Sequence, residues 1–423
     1  MLKARNLEIG SGRPKIICPI MKKTQEEILK DALEMKRHAA DAAEFRADAW
    51  EDVRDPAKLD ALMKSLRKVL GELPLLFTLR TKAEGGCLEV TGEEYADICR
   101  AAVRSGEADL IDLEFRRKQE MLRKEAQAAG VRVIYSFHDF EKTLPKSEMT
   151  GLLLEMEKQG ADIAKIAVMP RNETDVLNLL MAGFDAYLQM SIPVIFISMG
   201  ELGVLSRVGG ERFGSSMTFA SIGTASAPGQ LMADDLAAIL KELHEERKKS
   251  AHIFLTGFMG TGKSSAAKVL GEKTGRPVYE LDRMIEEKAG MPIVRIFAEK
   301  KEEGFRRIET EVLRSLMGKQ PGIVSCGGGI VLSPVNVRLM RTLGVIVLMT
   351  ASPDTICERL KGETDMRPLL RGEDSREKIR ALMEARADAY AEAADVTEPT
   401  DGREIDTICA EILFGVEKHG EVL

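Results

Sequence analysis

His252–Gly271 reads HIFLTGFMGTGKSSAAKVLG. Ile253, Phe254 and Leu255 make a short apolar run suited to a buried strand, and Gly257 to Ser264 fits G-x-x-x-x-G-K-[ST]. Ser265 to Gly271 opens a helix. Strand, glycine loop and helix together form the context of a phosphate-binding loop. Glycines let backbone N–H groups converge on phosphate oxygens where a side chain would clash. The helix N-terminus adds a partial positive charge. Lys263 then reaches the β/γ-phosphates of a nucleotide and Ser264 binds Mg²⁺. Gly257, Gly260, Thr261, Gly262 and Ser265 complete the nucleotide-binding set.

Downstream, apolar runs at Pro277–Glu280, Gly322–Ser325 and Val345–Met349 are strand candidates. Helical spacing covers Asp282–Ala289, Ile293–Glu299, Glu303–Leu316, Pro353–Leu360 and Ser375–Ala393. A parallel sheet flanked by helices is the natural setting for the loop. Phosphoryl transfer also needs a carboxylate near the acceptor hydroxyl and cations for the transition state. Asp282 follows the second strand and is placed to accept a hydroxyl proton, although a helix N-cap is the plainer reading. Gly327, Gly328 and Gly329 follow the third strand and offer bare N–H groups to an anion, or form a simple turn. Arg306 and Arg386 lie on helices expected to face the same cleft. Lys361–Gly372 (KGETDMRPLLRG) is polar, breaks the preceding helix and reads as a lid carrying Arg367.

Upstream, Lys241–Ser250 (KELHEERKKS) is the best boundary, giving domains at 1–246 and 250–423. Before it lie eight strand candidates: Lys15–Ile20, Ala43–Ala47, Leu75–Thr81, Leu110–Phe115, Arg132–His138, Ile163–Met169, Val194–Met199 and Phe219–Ile222. Between most of them runs a segment of 3.6-residue apolar spacing, such as Gln25–Ala39, Asp60–Leu70, Tyr95–Ser105 and Thr174–Ala182. That count predicts a (β/α)₈ TIM barrel, with an open doubly wound sheet as the alternative. Polar residues gather where the strands end: Glu44, Arg46 and Asp48, then Arg80, Glu114, His138 and Asp139, with Arg207 and Gln230 in later loops. Barrel active sites sit at that face. Lys165 stands mid-strand among apolar sequence neighbours, where burial disfavours the charged amine. A neutral amine attacks a ketone to form an imine, and His138 could move the proton. A lone barrel lysine is more often half of an ion pair, but the neighbouring histidine and arginines favour the nucleophile. Arg46, Arg80 and Arg207 suit an anionic, hydroxylated substrate.

A chain of 423 residues is too long for one ordinary core. Its net charge of −7 gives no reason to expect nucleic acid or a membrane surface. Six scattered cysteines without a C-x-x-C pair argue against a zinc site or a disulfide scaffold and fit a reducing, cytoplasmic location. No basic start precedes a long apolar run, and no stretch of about 18 apolar residues occurs, so neither a signal peptide nor a membrane span is expected.

Two resemblances follow. Residues 1–245 resemble type I 3-dehydroquinate dehydratase through PKIICPI (14–20), EFRAD (44–48), LLFTLRTKAEGG (75–86), DLEF (112–115), SFHDF (136–140), KIAVMP (165–170), SRVGGERFGS (206–215) and SAPGQ (226–230). The resemblance makes Lys165 the Schiff-base lysine, His138 the proton shuttle and Glu84 the residue that orients it. Arg207, Ser226 and Gln230 hold the substrate carboxylate and ring, and Glu44, Arg46 and Arg80 meet its hydroxyls. No prosthetic group is implied. Pro19 departs from relatives that carry serine there.

Residues from about 250 to 415 resemble shikimate kinase, of nucleoside monophosphate kinase fold, through GFMGTGKS, ELD, EEGFRRIE, CGGG, MRPLL and RADAY-AEAAD. That resemblance places Asp282 beside the shikimate 3-hydroxyl and Arg306, Gly328, Gly329 and Arg386 on its carboxylate. Lys263 and Arg367 neutralise the transferred phosphoryl group, Ser264 ligates Mg²⁺ and Arg359 lies near the adenine of ATP. Glu280 stands where aspartate is usual, and Cys326 where threonine is common. The implied chain is a bifunctional enzyme that dehydrates 3-dehydroquinate and phosphorylates shikimate. Its expected partners are these small molecules, with a homodimer through the barrel left open. Two rivals remain: a degenerate fusion acting as a metabolite-sensing regulator, and a Schiff-base aldolase fused to another small-molecule kinase. Intact Lys165, His138, Lys263 and Asp282 weigh against the first. The extended motif match weighs against the second.

Overall fold

The computed structural model describes residues 2–223, 227–249, 251–361 and 375–422. The chain divides into two compact units, Met1–His244 and Glu245–Leu423. The boundary falls inside the helix Ala233–Lys249. The charged run read as the boundary continues that helix, since Glu, Lys and Arg are good helix formers.

The first unit opens with an antiparallel hairpin, β1 (Leu2–Ala4) and β2 (Leu7–Ile9). Eight parallel strands follow: β3 (Lys15–Ile20), β4 (Ala42–Arg46), β5 (Leu75–Thr78), β6 (Leu110–Glu114), β7 (Arg132–Asp139), β8 (Ile163–Val168), β9 (Val194–Ser198) and β10 (Met217–Phe219). They pair in sequence order, with β10 returning to β3. The gap between β9 and β10 is closed by the Ser216 N–H on Val194 O at 2.8 Å. This is the expected barrel. The last strand lies at Met217–Phe219 rather than Phe219–Ile222, and the hairpin strands are too short for sequence patterning to reveal.

Alternation along each strand sorts the residues. Phe45, Phe77, Ile111, Val133, Ile166 and Phe196 point outward into the core beneath the helices. Their neighbours point inward. At the barrel's N-terminal end the inward set is apolar, with Ile17, Ala42, Leu76, Leu110, Ile134, Ile163 and Ile195 packing on Ala4, Leu7 and Ile9 of the hairpin. Two and four residues further along the same strands come Glu44 and Arg46, Thr78 and Arg80, Asp112 and Glu114, Ser136 and His138, and Lys165. The period of two therefore carries a greasy floor into a charged upper layer.

The second unit is a five-stranded parallel sheet of β11 (His252–Thr256), β12 (Val278–Glu280), β13 (Ile323–Ser325), β14 (Gly344–Thr350) and β15 (Val396–Pro399), in the order β12-β13-β11-β14-β15. Sequence spacing anticipates the first four strands and misses β15, and it also misses the helices Pro334–Leu343 and Ile405–Val422. The two helices expected at Ile293–Glu299 and Glu303–Leu316 are both present within Ile293–Arg314, separated by a kink at Lys301, whose φ is 58°. Among the described residues no helix is long and apolar enough to cross a membrane.

Candidate active sites

The charged upper layer of the barrel lines one pocket, made by Glu44, Arg46, Arg80, Glu84, His138, Lys165, Arg207 and Gln230 with Phe140, Met199, Phe219 and Ala227. Ser226, expected among them, lies outside the described residues. Lys165 is only 4% exposed. Its Nζ stands 3.0 Å from Asp112 Oδ2 and 4.4 Å from the Phe219 ring centroid. This corrects the expectation of a lysine in apolar surroundings. Its sequence neighbours are apolar, but an inward position two strands away supplies a carboxylate. Asp112 belongs to the DLEF motif, yet nothing in the sequence assigns it a part in the chemistry. Its one signal there is parity: it shares the inward face with Leu110 and Glu114.

Asp112 is fully buried. Burial alone would push its carboxyl up, but the charges of Arg80 and Lys165 and a bond from Ser136 hold it far below the usual range. Arg80 donates to Asp112 Oδ1 at 2.7 Å, to Glu84 Oε2 at 3.2 Å and to Ser136 Oγ at 3.0 Å. Its guanidinium is thus engaged with the protein's own acceptors. Glu84 sits in the short 3₁₀ turn Lys82–Glu84 after β5. His138 Nδ1 lies 2.9 Å from Glu84 Oε2, and the His138 N–H donates to the same oxygen at 3.1 Å. Burial raises Glu84 to about 8 despite Arg80, with Glu114 and Asp112 adding to the rise. Burial, reinforced by Arg80 and Lys165, holds His138 well below the ordinary imidazole value. The result is a neutral imidazole beside a carboxyl that shares its proton.

Arg207 differs from its neighbours. It is 2% exposed and donates to two carbonyls, Phe219 O and Pro228 O, each at 3.2 Å. Among the described residues its Nε has no hydrogen-bond partner and no carboxylate pairs with it. Burial lowers it to about 10. A desolvated cation without a counter-ion, facing a pocket, is suited to an anionic ligand. Glu44 accepts from Thr78 Oγ1 at 2.8 Å, and Arg46 forms a bidentate pair with Asp48 at 2.9 Å for both bonds.

In the second unit the loop between β11 and the helix Lys263–Thr274 is shaped by its glycines. Gly257, Gly260 and Gly262 have φ of 133°, 82° and 93°. A Cβ on Gly257 would overlap Met349 O. Lys263 Nζ donates to Gly257 O at 2.8 Å and Phe258 O at 2.9 Å, while Thr261 Oγ1 donates to Phe258 O at 2.8 Å. Ser264 Oγ stands 3.3 Å from Glu280 Oε2 and 3.2 Å from Ser325 Oγ. Ser265 follows as an exposed first-turn residue. A cradle only glycine can adopt, a lysine folded along it, and a hydroxyl beside a carboxylate fit a nucleotide's phosphates and a hard cation.

The remaining expected residues meet at the neighbouring strand ends. A Cβ on Gly327 would lie 2.8 Å from Asp282 Oδ1, and one on Gly329 would overlap the Arg306 guanidinium. Arg386 donates to Gly328 O at 3.3 Å, and so does the Tyr390 hydroxyl. Arg306 is held by buried Glu309 at 2.8 Å, and Asn336 Nδ2 donates to the same Glu309 oxygen at 3.1 Å. Sequence reasoning singles out neither Glu309 nor Asn336. Glu309 has a local signal, three residues beyond Arg306 on one helix face, but Asn336 has none. Arg359 donates to Gly260 O at 3.1 Å and Thr400 O at 2.9 Å, so it braces the glycine loop against the residue after β15. Arg367 and the segment 362–374 lie outside the described residues.

Comparison with known proteins matches each unit to a family. The family model for type I 3-dehydroquinase matches residues 16–247, and that for shikimate kinase matches residues 259–416. The 3-dehydroquinate dehydratase of Listeria welshimeri is 42% identical over 245 residues, covering 57% of this chain and 97% of the relative. That of Enterococcus faecalis is 40% identical over 247 residues, covering 57% of this chain and 98% of the relative. The crystal structure of type I 3-dehydroquinate dehydratase from Clostridium difficile, with covalently modified comenic acid, superposes with a TM-score of 0.57 at 38% identity, covering 58% of this chain and 98% of that one. The chain belongs to the type I 3-dehydroquinase family and, with a shikimate kinase domain following the barrel in the same polypeptide, is a bifunctional shikimate-pathway enzyme.

Proposed function

We propose that Lys165 forms a Schiff base with the C3 ketone of 3-dehydroquinate and that His138 and Glu84 move the protons of the dehydration. Condensation releases one water. The protonated imine withdraws electrons, so the adjacent C2–H becomes acidic. Neutral His138, oriented through Nδ1 by Glu84, takes that proton and returns it to the departing C1 hydroxyl, which leaves as water. Hydrolysis consumes one water, frees Lys165 and yields 3-dehydroshikimate. Arg207 receives the substrate carboxylate, aided by Gln230 and Ser226, while Glu44, Arg46 and Arg80 face the ring hydroxyls. The observation that carries this reading is the meeting of Lys165, His138 and Arg207 in one pocket. Borohydride trapping with 3-dehydroquinate and peptide mapping test it. The expected adduct is on Lys165; an adduct on another lysine, or dehydration without any adduct, overturns it.

For the second unit, a shikimate kinase domain implies ATP and Mg²⁺. When bound, the metal screens charge between the β- and γ-phosphates. Ser264 would ligate it, with Glu280 at hand. Lys263 and Arg367 steady the transferred phosphoryl group. Asp282 accepts the proton of the shikimate 3-hydroxyl. Arg306, Arg386 and the backbone at Gly328 and Gly329 hold the shikimate carboxylate. Arg359 lies toward the adenine.

A further inference from the structure

Asp48 ends the motif EFRAD, and neither activity uses it directly. It lies in the 3₁₀ turn Ala47–Ala49 directly after β4, and its side chain is wholly buried. Four N–H groups converge on its two oxygens. Arg46 Nε and Nη2 donate to Oδ1 and Oδ2, each at 2.9 Å. The backbone N–H of Arg80 reaches Oδ1 at 3.3 Å, and that of Cys87 reaches Oδ2 at 3.0 Å. A carboxylate has about four acceptor positions, so this one is saturated.

The two backbone donors are not neighbours in sequence. They stand at the two ends of the segment 81–86, the loop that carries Glu84. That loop is pinched shut at its neck, with Gly86 N–H on Thr81 O at 2.8 Å and Lys82 N–H on Leu88 O at 2.8 Å. A Cβ on Gly86 would overlap Arg80 O, which shows how closely the chain returns on itself. Glu114 grips Thr81 from the other side, through its N–H at 2.7 Å and its hydroxyl at 2.9 Å. Asp48 therefore binds, with one carboxylate, an arginine of the substrate pocket and both ends of the loop whose Glu84 orients His138.

We propose that Asp48 is a positioning residue for the dehydration, coupling the substrate grip of Arg46 to the alignment of the Glu84–His138 pair. The proposal rests on the assignment of the barrel pocket to dehydration. Its consequence is that one change at Asp48 disturbs both binding and proton transfer, without removing any group that touches the substrate.

Asp48→Asn keeps the size of the side chain but turns an –NH₂ toward donors. In this variant kcat for 3-dehydroquinate falls about 10- to 100-fold, the scale expected when a catalytic pair is misplaced by a fraction of an ångström to one ångström. KM rises as well, and the pH profile of kcat shifts because His138 loses its fixed partner. In an Arg46→Ala background the same change lowers kcat by the same factor and leaves KM where Arg46→Ala put it. Shikimate phosphorylation by the same preparation normalises for chain concentration, and borohydride trapping counts competent Lys165 sites. Unaltered kcat, KM and pH profile in Asp48→Asn overturn the proposal. A loss wholly accounted for by fewer trapped sites does so too, because that is a folding defect. If the unsubstituted protein does not dehydrate 3-dehydroquinate, it is the assignment of the pocket that fails, and that result is seen before any variant is made.

Discussion

Burial sets the chemistry of single residues at the barrel mouth, and two of them make measurable predictions. Glu84 is raised in the folded protein to about 8 from an ordinary 4.5, so the folded state holds its proton more tightly than the unfolded chain. Its contribution to stability is full below about pH 4.5 and is lost as pH rises toward 8. His138 is depressed below its ordinary 6.5, so its contribution runs the other way, being present above 6.5 and lost on acidification. The two oppose each other between about pH 4.5 and 6.5, and of the pair only Glu84 acts above that range. Urea unfolding of the ligand-free protein should show the barrel losing stability between pH 6.5 and 8, and Glu84→Gln should flatten that slope; equal slopes in both proteins contradict the assignment. Arg207 gives the second prediction. Removing a buried cation that has no carboxylate partner among the described residues relieves a desolvation cost. Arg207→Met should raise the barrel's unfolding midpoint by about 3 °C, for roughly 1 kcal/mol in a unit of this size. The same change should lower kcat/KM for 3-dehydroquinate by about 100-fold through the lost carboxylate contact. A lower midpoint with an unchanged KM would show that Arg207 is a structural residue.

At the scale of elements, the glycine loop after β11 separates two costs that sequence motifs treat alike. Gly262 caps the helix Lys263–Thr274 with φ of 93° and has open space around a would-be Cβ, so Gly262→Ala costs only backbone strain, about 1–2 kcal/mol. Gly257 has φ of 133° and packs against the backbone of β14, where nothing can yield. Gly257→Ala should therefore abolish nucleotide binding, followed by fluorescence of a labelled ATP analogue, while Gly262→Ala retains weakened binding; the reverse order would contradict the loop geometry. Strands and helices with strong periodicity are legible in the sequence, Lys15–Ile20 and Ser375–Ala393 to the residue. Short elements are not. Val396–Pro399 is four residues long, and only its pairing with β14 makes it a strand. The helix Pro334–Leu343 begins with Ser333 capping Asn336 and a proline in its first turn, signals present in the sequence but weak beside the longer patterns.

At the scale of the whole molecule, each unit has its own sheet, core and candidate site. Asp282→Asn should abolish phosphorylation of shikimate and leave dehydration of 3-dehydroquinate at its unsubstituted rate, measured by coupled nucleotide assay and by enone absorbance; loss of both activities would show that the units depend on each other. The chemistry is readable in one dimension because it uses rare side chains in short, sterically determined patterns. A phosphate loop needs its glycines and lysine at set spacing, and a strand that buries a lysine must have a use for it. Two α/β units, the strand count of the barrel, and Lys165, His138, Lys263 and Asp282 as the reactive groups are all legible in the one-dimensional chain. Which charges meet is settled in three dimensions. The pairing of Lys165 with Asp112, the closure of the 81–86 loop on Asp48 and the want of an acidic partner for Arg207 among the described residues all depend on positions far apart in the chain. Strand register and burial set those contacts, and neither leaves a mark in local composition, because electrostatic partners are chosen by distance in space.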